Sequence, residues 1–165
     1  MKIALSTDHA GYNTIANLRD YLESLGHECV NFGPAFFDDK DDYPDFIFPA
    51  AESVANGECD LGIICGGSGQ GEAMTANRLK GVRCAVYYGP ATASNPINAE
   101  GALAADQLEI IRLSREHNDA NMLSLGTRFL TWEQIVQAVD LWLATPFSGD
   151  DRHVRRIKKL DMDMR

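Results

Sequence analysis

Short apolar runs alternate with longer amphipathic segments along this chain, and that alternation limits the fold more than any other feature. The runs Lys2–Ser6, Glu28–Phe32, Leu61–Cys65, Val82–Tyr87 and Met122–Leu125 have the length of strands. Between the first two, Asn13–Leu25 carries Ile15, Leu18, Tyr21, Leu22 and Leu25 at helical spacing, with Gly26 as a stop. Phe46–Ala55, about Gln70 to Leu79, Gln107–Glu116, Trp132–Ala144 and about Asp150 to Leu160 also read as helices. Strands alternating with helices predict an α/β protein with a parallel sheet of five strands covered on both faces. Ligands of such sheets bind at the carboxyl ends of the strands, near a switch in strand order.

The length of 165 residues suits one core, and with no internal repeat residues 1–165 are expected to form a single domain. Fifteen Lys and Arg stand against 24 Asp and Glu, a formal net charge of −9. This acidity argues against nucleic acid or an anionic membrane as partner, because either would repel the average surface. Five of the 15 positive residues (Arg152, Arg155, Arg156, Lys158 and Lys159) nevertheless fall within eight positions, which suggests a site for a small anion. The opening MKIALSTDHAG has too short an apolar run for a secretory leader, and no stretch approaches the length of a membrane span. Cys29, Cys59, Cys65 and Cys84 show no C-x-x-C spacing, and three of them sit in or beside apolar runs and read as small buried hydrophobes. A cytoplasmic location is expected.

GGSGQGE (Gly66–Glu72), between a strand and a helix, is the most informative stretch. Glycines at such a turn let the backbone approach a ligand and aim N–H groups at an anion. The stretch is not a Walker loop, because Glu72 stands where Gly-Lys-Ser/Thr would end. The dinucleotide spacing fails at Glu72 when counted from Gly67, and at Met74 when counted from Gly69. Gln70 spoils the hydrolase elbow. A carboxylate aimed at a phosphate would be repelled, so Glu72 fits better as a base beside a substrate carbon. As a plain alternative, Glu72 only complements the helix dipole.

Three other polar groupings stand out. Asp8-His9 follows the first strand at the same sheet edge, and reads as a helix cap as readily as a catalytic pair. His117 ends the helix before the fifth strand, where it could pair with terminal carbonyls or transfer protons. Arg152, Arg155, Arg156 and Lys159 share one helix face, which suits phosphate oxygens or a helix dipole, and Arg128 could join them. The five aspartates of Asp38–Asp45 predict a solvated loop. Gly89–Asp106 interrupts the alternation as an inserted loop, either a lid or a tolerated insertion.

STDHAGY, GGSGQGE with Ala76-Asn77, SREHNDANMLSLGTR and RHVRRI together resemble the type B ribose-5-phosphate isomerases, with their allose- and galactose-phosphate relatives. The resemblance spans nearly the whole chain apart from Gly89–Asp106. It implies a Rossmann-like three-layer α/β/α fold and a homodimer or tetramer with active sites at the subunit interface. It also implies isomerisation of a small phosphorylated sugar through an enediolate, with no metal and no cofactor. Carried over by position, Glu72 is the base between C1 and C2, and Gly67, Ser68, Gly69, Gln70 and Gly71 form the anion hole. Ser68 adds a hydroxyl there. His117 donates a proton in ring opening, and Asp8 binds sugar hydroxyls or the ring oxygen. His9, Asn118, Arg128, Arg152 and Arg156 hold the sugar or its phosphate. One branch of the family uses a cysteine at the head of the loop as base. That position is Gly66 here, and Cys65 one residue earlier is expected to be packing. An allose, galactose or tetrose phosphate as substrate, or a non-catalytic sugar-phosphate binder, are the alternatives.

Overall fold

Near-continuous burial on both faces makes β1 (Lys2–Thr7) and β3 (Leu61–Gly66) the centre of the sheet, with Ile3, Leu5, Ile63 and Ile64 wholly buried. The structure, a computed structural model, describes residues 1–98 and 100–162. The chain divides into two compact units, Met1–Tyr88 with Ala120–Trp132 and Gly89–Asp119 with Glu133–Arg165. The first unit holds β2 (Glu28–Asn31), β4 (Cys84–Tyr87) and β5 (Met122–Gly126) beside the two central strands. All pairings are parallel, in the order β2-β1-β3-β5-β4, which is the α/β sheet the alternation predicts.

Strand order then places the helices. From β1 the chain passes through α1 (Tyr12–Ser24) to β2, and from β2 back across through α2 (Tyr43–Ala55) to β3. Because such crossovers are right-handed, this reversal puts α1 and α2 on opposite faces. The α3 helix (Gln70–Ala76) packs beside α2. Ala4, Ile47, Ala50, Ala51, Val54, Ile64, Ala76 and Met122 form their shared core, while α1 buries Ile15, Leu18 and Leu22. Each Leu or Ile so buried contributes about 1.5–3 kcal/mol. Helix, sheet and helix thus form three layers within this unit. The reversal also makes the β1/β3 crevice the switch point where ligands of open parallel sheets bind.

Two boundaries differ instructively from expectation. The α2 helix begins at Tyr43, inside the supposed acidic loop, because Pro44 falls in the first turn where a missing N–H costs nothing. The α3 helix stops at Ala76, three residues before Leu79. There the Asn77 side chain takes over: its amide donates to the Cys84 carbonyl at 2.9 Å and its oxygen accepts from the Cys84 N–H at 2.8 Å.

The second unit contains α4 (Glu109–Glu116), most of α5 (Trp132–Ala144) and α6 (Asp151–Leu160). Arg115 ties it together, lying 5.4 Å from the Trp142 ring centroid and donating to the Thr145 carbonyl at 3.2 Å. The inserted Gly89–Asp106 segment, of which Ala99 lies outside the described residues, is held by specific bonds. The Ala91 N–H donates to the Gln107 carbonyl at 3.0 Å, and the Ala105 N–H donates to the buried Glu109 carboxylate at 3.1 Å. Among the described residues no helix is long and apolar enough to cross a membrane.

Candidate active site

The loop after β3 is anchored through its carbonyl oxygens. Gly66 O accepts from the Thr127 N–H at 2.9 Å and from the Thr127 hydroxyl at 3.0 Å. Gly67 O accepts from the Arg128 N–H at 3.1 Å, and Gly69 O from the Ser124 hydroxyl at 2.7 Å. In a trans peptide the C=O and the following N–H point in opposite directions. With the Gly66 and Gly67 carbonyls turned to the β5 side, the N–H groups of Gly67 and Ser68 therefore face away from it. Gly69 sits at φ +75°, in the left-handed region, and caps α3 there. The Gln70 N–H donates to the Ser68 hydroxyl at 3.3 Å, which holds that side chain against the loop.

Glu72, in the first turn of α3, is 4% exposed, and its carboxylate lies directly against Gly66. A Cβ added at Gly66 would fall on the Glu72 carboxyl atoms, so no side chain can stand there while Glu72 keeps its place. Burial raises the Glu72 carboxyl above the ordinary glutamate range, and the Asp8 charge adds to the rise. Its own backbone N–H, Arg128 and His9 pull in the other direction. Cys65 is wholly buried and points elsewhere, its Cβ within 2.6 Å of where a Cβ on Gly11 would be. Burial pushes its thiol far up, with Glu72 and Asp8 adding to the effect, so Cys65 is a packing residue without thiolate character at neutral pH.

Asp8 and His9 leave β1 on the neighbouring side of the crevice. Asp8 caps the 3-10 turn His9–Gly11, accepting from the Ala10 N–H at 2.9 Å. Its second oxygen lies 3.8 Å from His9 Nδ1. Arg128, after β5, brings its guanidinium within 3.1–3.2 Å of a Cβ position on Gly67. Asp8, His9, Gly67 to Gly71, Glu72 and Arg128 are thus gathered at the carboxyl edge of one sheet. Asp8, His9 and Asp41 offer three ligand atoms within 4.8 Å of one another, a spacing a cation could use. His9 Nδ1 and Asp41 Oδ1 are already committed to each other at 2.6 Å.

His117, Asn118, Arg152 and Arg156 belong to the second unit. His117 caps the C-terminus of α4, its N–H donating to the Leu113 carbonyl at 3.0 Å. Its ring stacks on His153, with centroids 4.2 Å apart and 16° between planes. Asn118 and Arg156 are exposed, whereas Arg152 is half-buried. The Arg152 Nε–H donates to His153 Nε2 at 3.2 Å, and its guanidinium lies 3.6 Å from the Asp150 carboxylate.

Sequence pattern does not single out His153, although it stands one residue after Arg152 and is the buried residue of α6. It also passes over Thr127 and Ser124, whose hydroxyls lock the glycine loop, and Asp41. Hydroxyls just after or within a strand carry no periodic signal. Asp41 is hidden in a run of like residues, and its side chain is 8% exposed rather than solvated.

A buried carboxylate with raised proton affinity thus lies beside outward-facing peptide N–H groups at the switch point of an α/β sheet, a setting suited to moving a proton next to an anion. The chain belongs to the ribose/galactose isomerase family, which matches residues 3–102 and 97–160, and it is an aldose–ketose isomerase. It is 36% identical to the ribose-5-phosphate isomerase B of Mycobacterium tuberculosis over 95% of this chain and 86% of that one. The solved Clostridium thermocellum ribose-5-phosphate isomerase B superposes with a TM-score of 0.82 at 37% identity, covering 98% of this chain and 95% of that one. The Mycoplasma genitalium ribose-5-phosphate isomerase B, solved with bound ribulose-5-phosphate, gives a TM-score of 0.82 at 34% identity, covering 97% and 93%.

Proposed function

We propose that this enzyme interconverts ribose 5-phosphate and ribulose 5-phosphate in the cytoplasm, as one catalytic domain assembled into a homodimer or tetramer. The ribose-5-phosphate isomerase B relatives support the substrate, and the buried Glu72 carboxylate against Gly66 carries the chemistry. His117 gives a proton to the ring oxygen while the anomeric hydroxyl loses one to solvent, which opens the sugar ring to the aldehyde, with Asp8 binding a hydroxyl or the ring oxygen. Glu72 then takes the C2 proton of the open-chain aldose and returns it to C1. A second proton passes from O2 to O1, so that an aldose leaves as a ketose. The enediolate charge falls to the Gly67 and Ser68 N–H groups and the Ser68 hydroxyl, with Gly69, Gln70 and Gly71 completing the hole. Each such donor is worth about 3–4 kcal/mol when removed, enough for metal-free proton transfer. His9, Asn118, Arg128, Arg152 and Arg156 hold the sugar and its phosphate. That remote binding orients the reacting carbons.

The exposed Phe48 and Met74, which line a groove with Pro44 and Ala73, favour self-association. The bonds that Ala91 and Ala105 of the inserted segment make to Gln107 and Glu109 favour a second reading of the same chemistry, with a sugar phosphate of another length such as an allose, galactose or tetrose phosphate. One assay separates these: turnover of four-, five- and six-carbon sugar phosphates by the whole chain and by a folded variant with that segment shortened. Preference for the five-carbon substrate in both supports the first reading. A preference that changes with the segment supports the second. Tight binding with no exchange of substrate protons against solvent would leave only a sugar-phosphate binder.

A further inference from the structure

Asp41 lies in the connection from β2 to α2, yet its carboxylate is turned back onto the end of β1. Oδ1 accepts from the His9 backbone N–H at 3.1 Å and meets His9 Nδ1 at 2.6 Å. One oxygen thereby fixes both the backbone and the ring of a single residue. Phe37, from the same connection, packs edge-on to the His9 ring at 6.5 Å and 87°, and to Tyr12 at 6.0 Å and 82°. A carboxylate only accepts hydrogen bonds, so the shared proton is carried on Nδ1, and Nε2 is the ring nitrogen left to meet a ligand.

We propose that Asp41 is the positioning residue of His9: it fixes the Nδ1–H form of the ring and keeps Nε2–H a charged donor for the anionic end of the substrate. This rests on the reading of His9 as a ligand of the sugar phosphate. Asp41 Oδ2 is buried with no hydrogen-bond partner among the described residues, so His9 supplies the compensation of this buried charge. The contact lies on the Nδ1 side, so the imidazole stands between the carboxylate and any anion at Nε2. Four charged groups face His9: Asp8 beside it, Asp41 from the connection, Arg128 from the end of β5 and Glu72 from α3. The hydrogen bond to Asp41 is the largest influence and holds His9 above the ordinary histidine value. Burial lowers it, the Asp8 and Asp41 charges raise it, and Arg128 lowers it. Without Asp41, a second cation beside Arg128 would have to persist with Asp8 and Glu72 alone to balance it.

The test reads the pair with and without substrate. The His9 ring signal, assigned by its loss in His9→Gln, is titrated by NMR in the unaltered chain, in Asp41→Asn and in Asp41→Glu. KM and kcat for ribose 5-phosphate are followed across the same pH range. We expect His9 to titrate above the ordinary value in the unaltered chain and lower in Asp41→Asn. KM in Asp41→Asn should rise roughly tenfold at pH 7, the factor carried by one charge-assisted hydrogen bond. The loss should shrink at acid pH, with kcat changed less, and Asp41→Glu should recover part of it. A His9 titration at or below the ordinary value in the unaltered chain would overturn the assignment even if the variants do not fold. So would an unmoved titration in Asp41→Asn, or a KM profile that does not follow it. Lack of turnover by the unaltered chain would fault the substrate reading instead, and the titration would still decide the pairing.

Discussion

His9 and His153 are the same side chain in opposite settings. His9 keeps 28% of its side chain exposed and has a carboxylate at 2.6 Å, which favours its charged form. His153 is 4% exposed, and its Nε2 accepts from Arg152, which requires the neutral form. Burial lowers its proton affinity most, followed by the charges of His117 and Arg152. Each unit thus holds its titratable groups in a different way. The first sets charged groups around a buried carboxylate, whereas the second stacks one imidazole on another that stays uncharged. On the proposed roles, a neutral His153 leaves the stacked His117 able to carry the proton for ring opening.

On the proposed roles, removing the Glu72 carboxylate should have the largest effect. Glu72→Gln is expected to lower kcat by about 10²–10⁴, the usual contribution of a general base, with KM nearly unchanged. The same variant should unfold at higher temperature than the unaltered chain at pH 8. Burial raises the folded-state affinity of Glu72 for its proton, so folding the charged form is penalised once pH exceeds the ordinary glutamate value. The gap should close as pH falls below that value, where both states are protonated. A KM-dominated loss would move Glu72 from base to binder.

Displacing the Glu72 carboxylate should cost somewhat less. Gly66→Ala puts a methyl group where the Glu72 carboxylate lies, and should reduce kcat by roughly 10²-fold, as a misplacement of about 1 Å does. Full activity in that variant would mean that the carboxylate works from another position. In the second unit, His153→Gln keeps a polar group but loses the stack on His117. A fall of about tenfold in kcat is expected with cyclic substrate, and less with an open-chain analogue. Equal losses on both would remove ring opening from this pair.

The smallest effects concern stability against pH. A neutral His153 stabilises the fold above the unfolded histidine value of about 6.5, and this is lost as pH falls below it. His9 works in reverse: its contribution is full below about 6.5 and is lost as pH rises through its higher folded value. Thermal unfolding of His153→Gln should therefore flatten the acid side of the stability profile, and Asp41→Asn the alkaline side. Matching profiles for both variants would erase the contrast between the two histidines.

Much of this was legible in the residues themselves, for physical reasons. Apolar runs such as LGIIC and the Gly-rich turn after it report local backbone needs, so all five strands and the position of Glu72 follow from them. The end of α3 did not, because it depends on Asn77 reaching the Cys84 backbone, a contact between elements. Asp41 looks like solvated charge until the fold brings it to His9. His153 looks like one more residue of a basic helix until the ring of His117 lies 4.2 Å away. Gly66 reads only as a turn residue, while its actual constraint is the carboxylate that fills its side-chain space. Pairings across the fold are what linear pattern omits.

Solvent-deuterium incorporation into the substrate tests the central claim most directly. Ribose 5-phosphate in D2O would be followed by NMR with the unaltered chain, Cys65→Ala and Glu72→Gln. With Glu72 as base, deuterium enters the sugar in the first two and not in the third, while Glu72→Gln still binds the substrate. Exchange that persists in Glu72→Gln and vanishes in Cys65→Ala would contradict it.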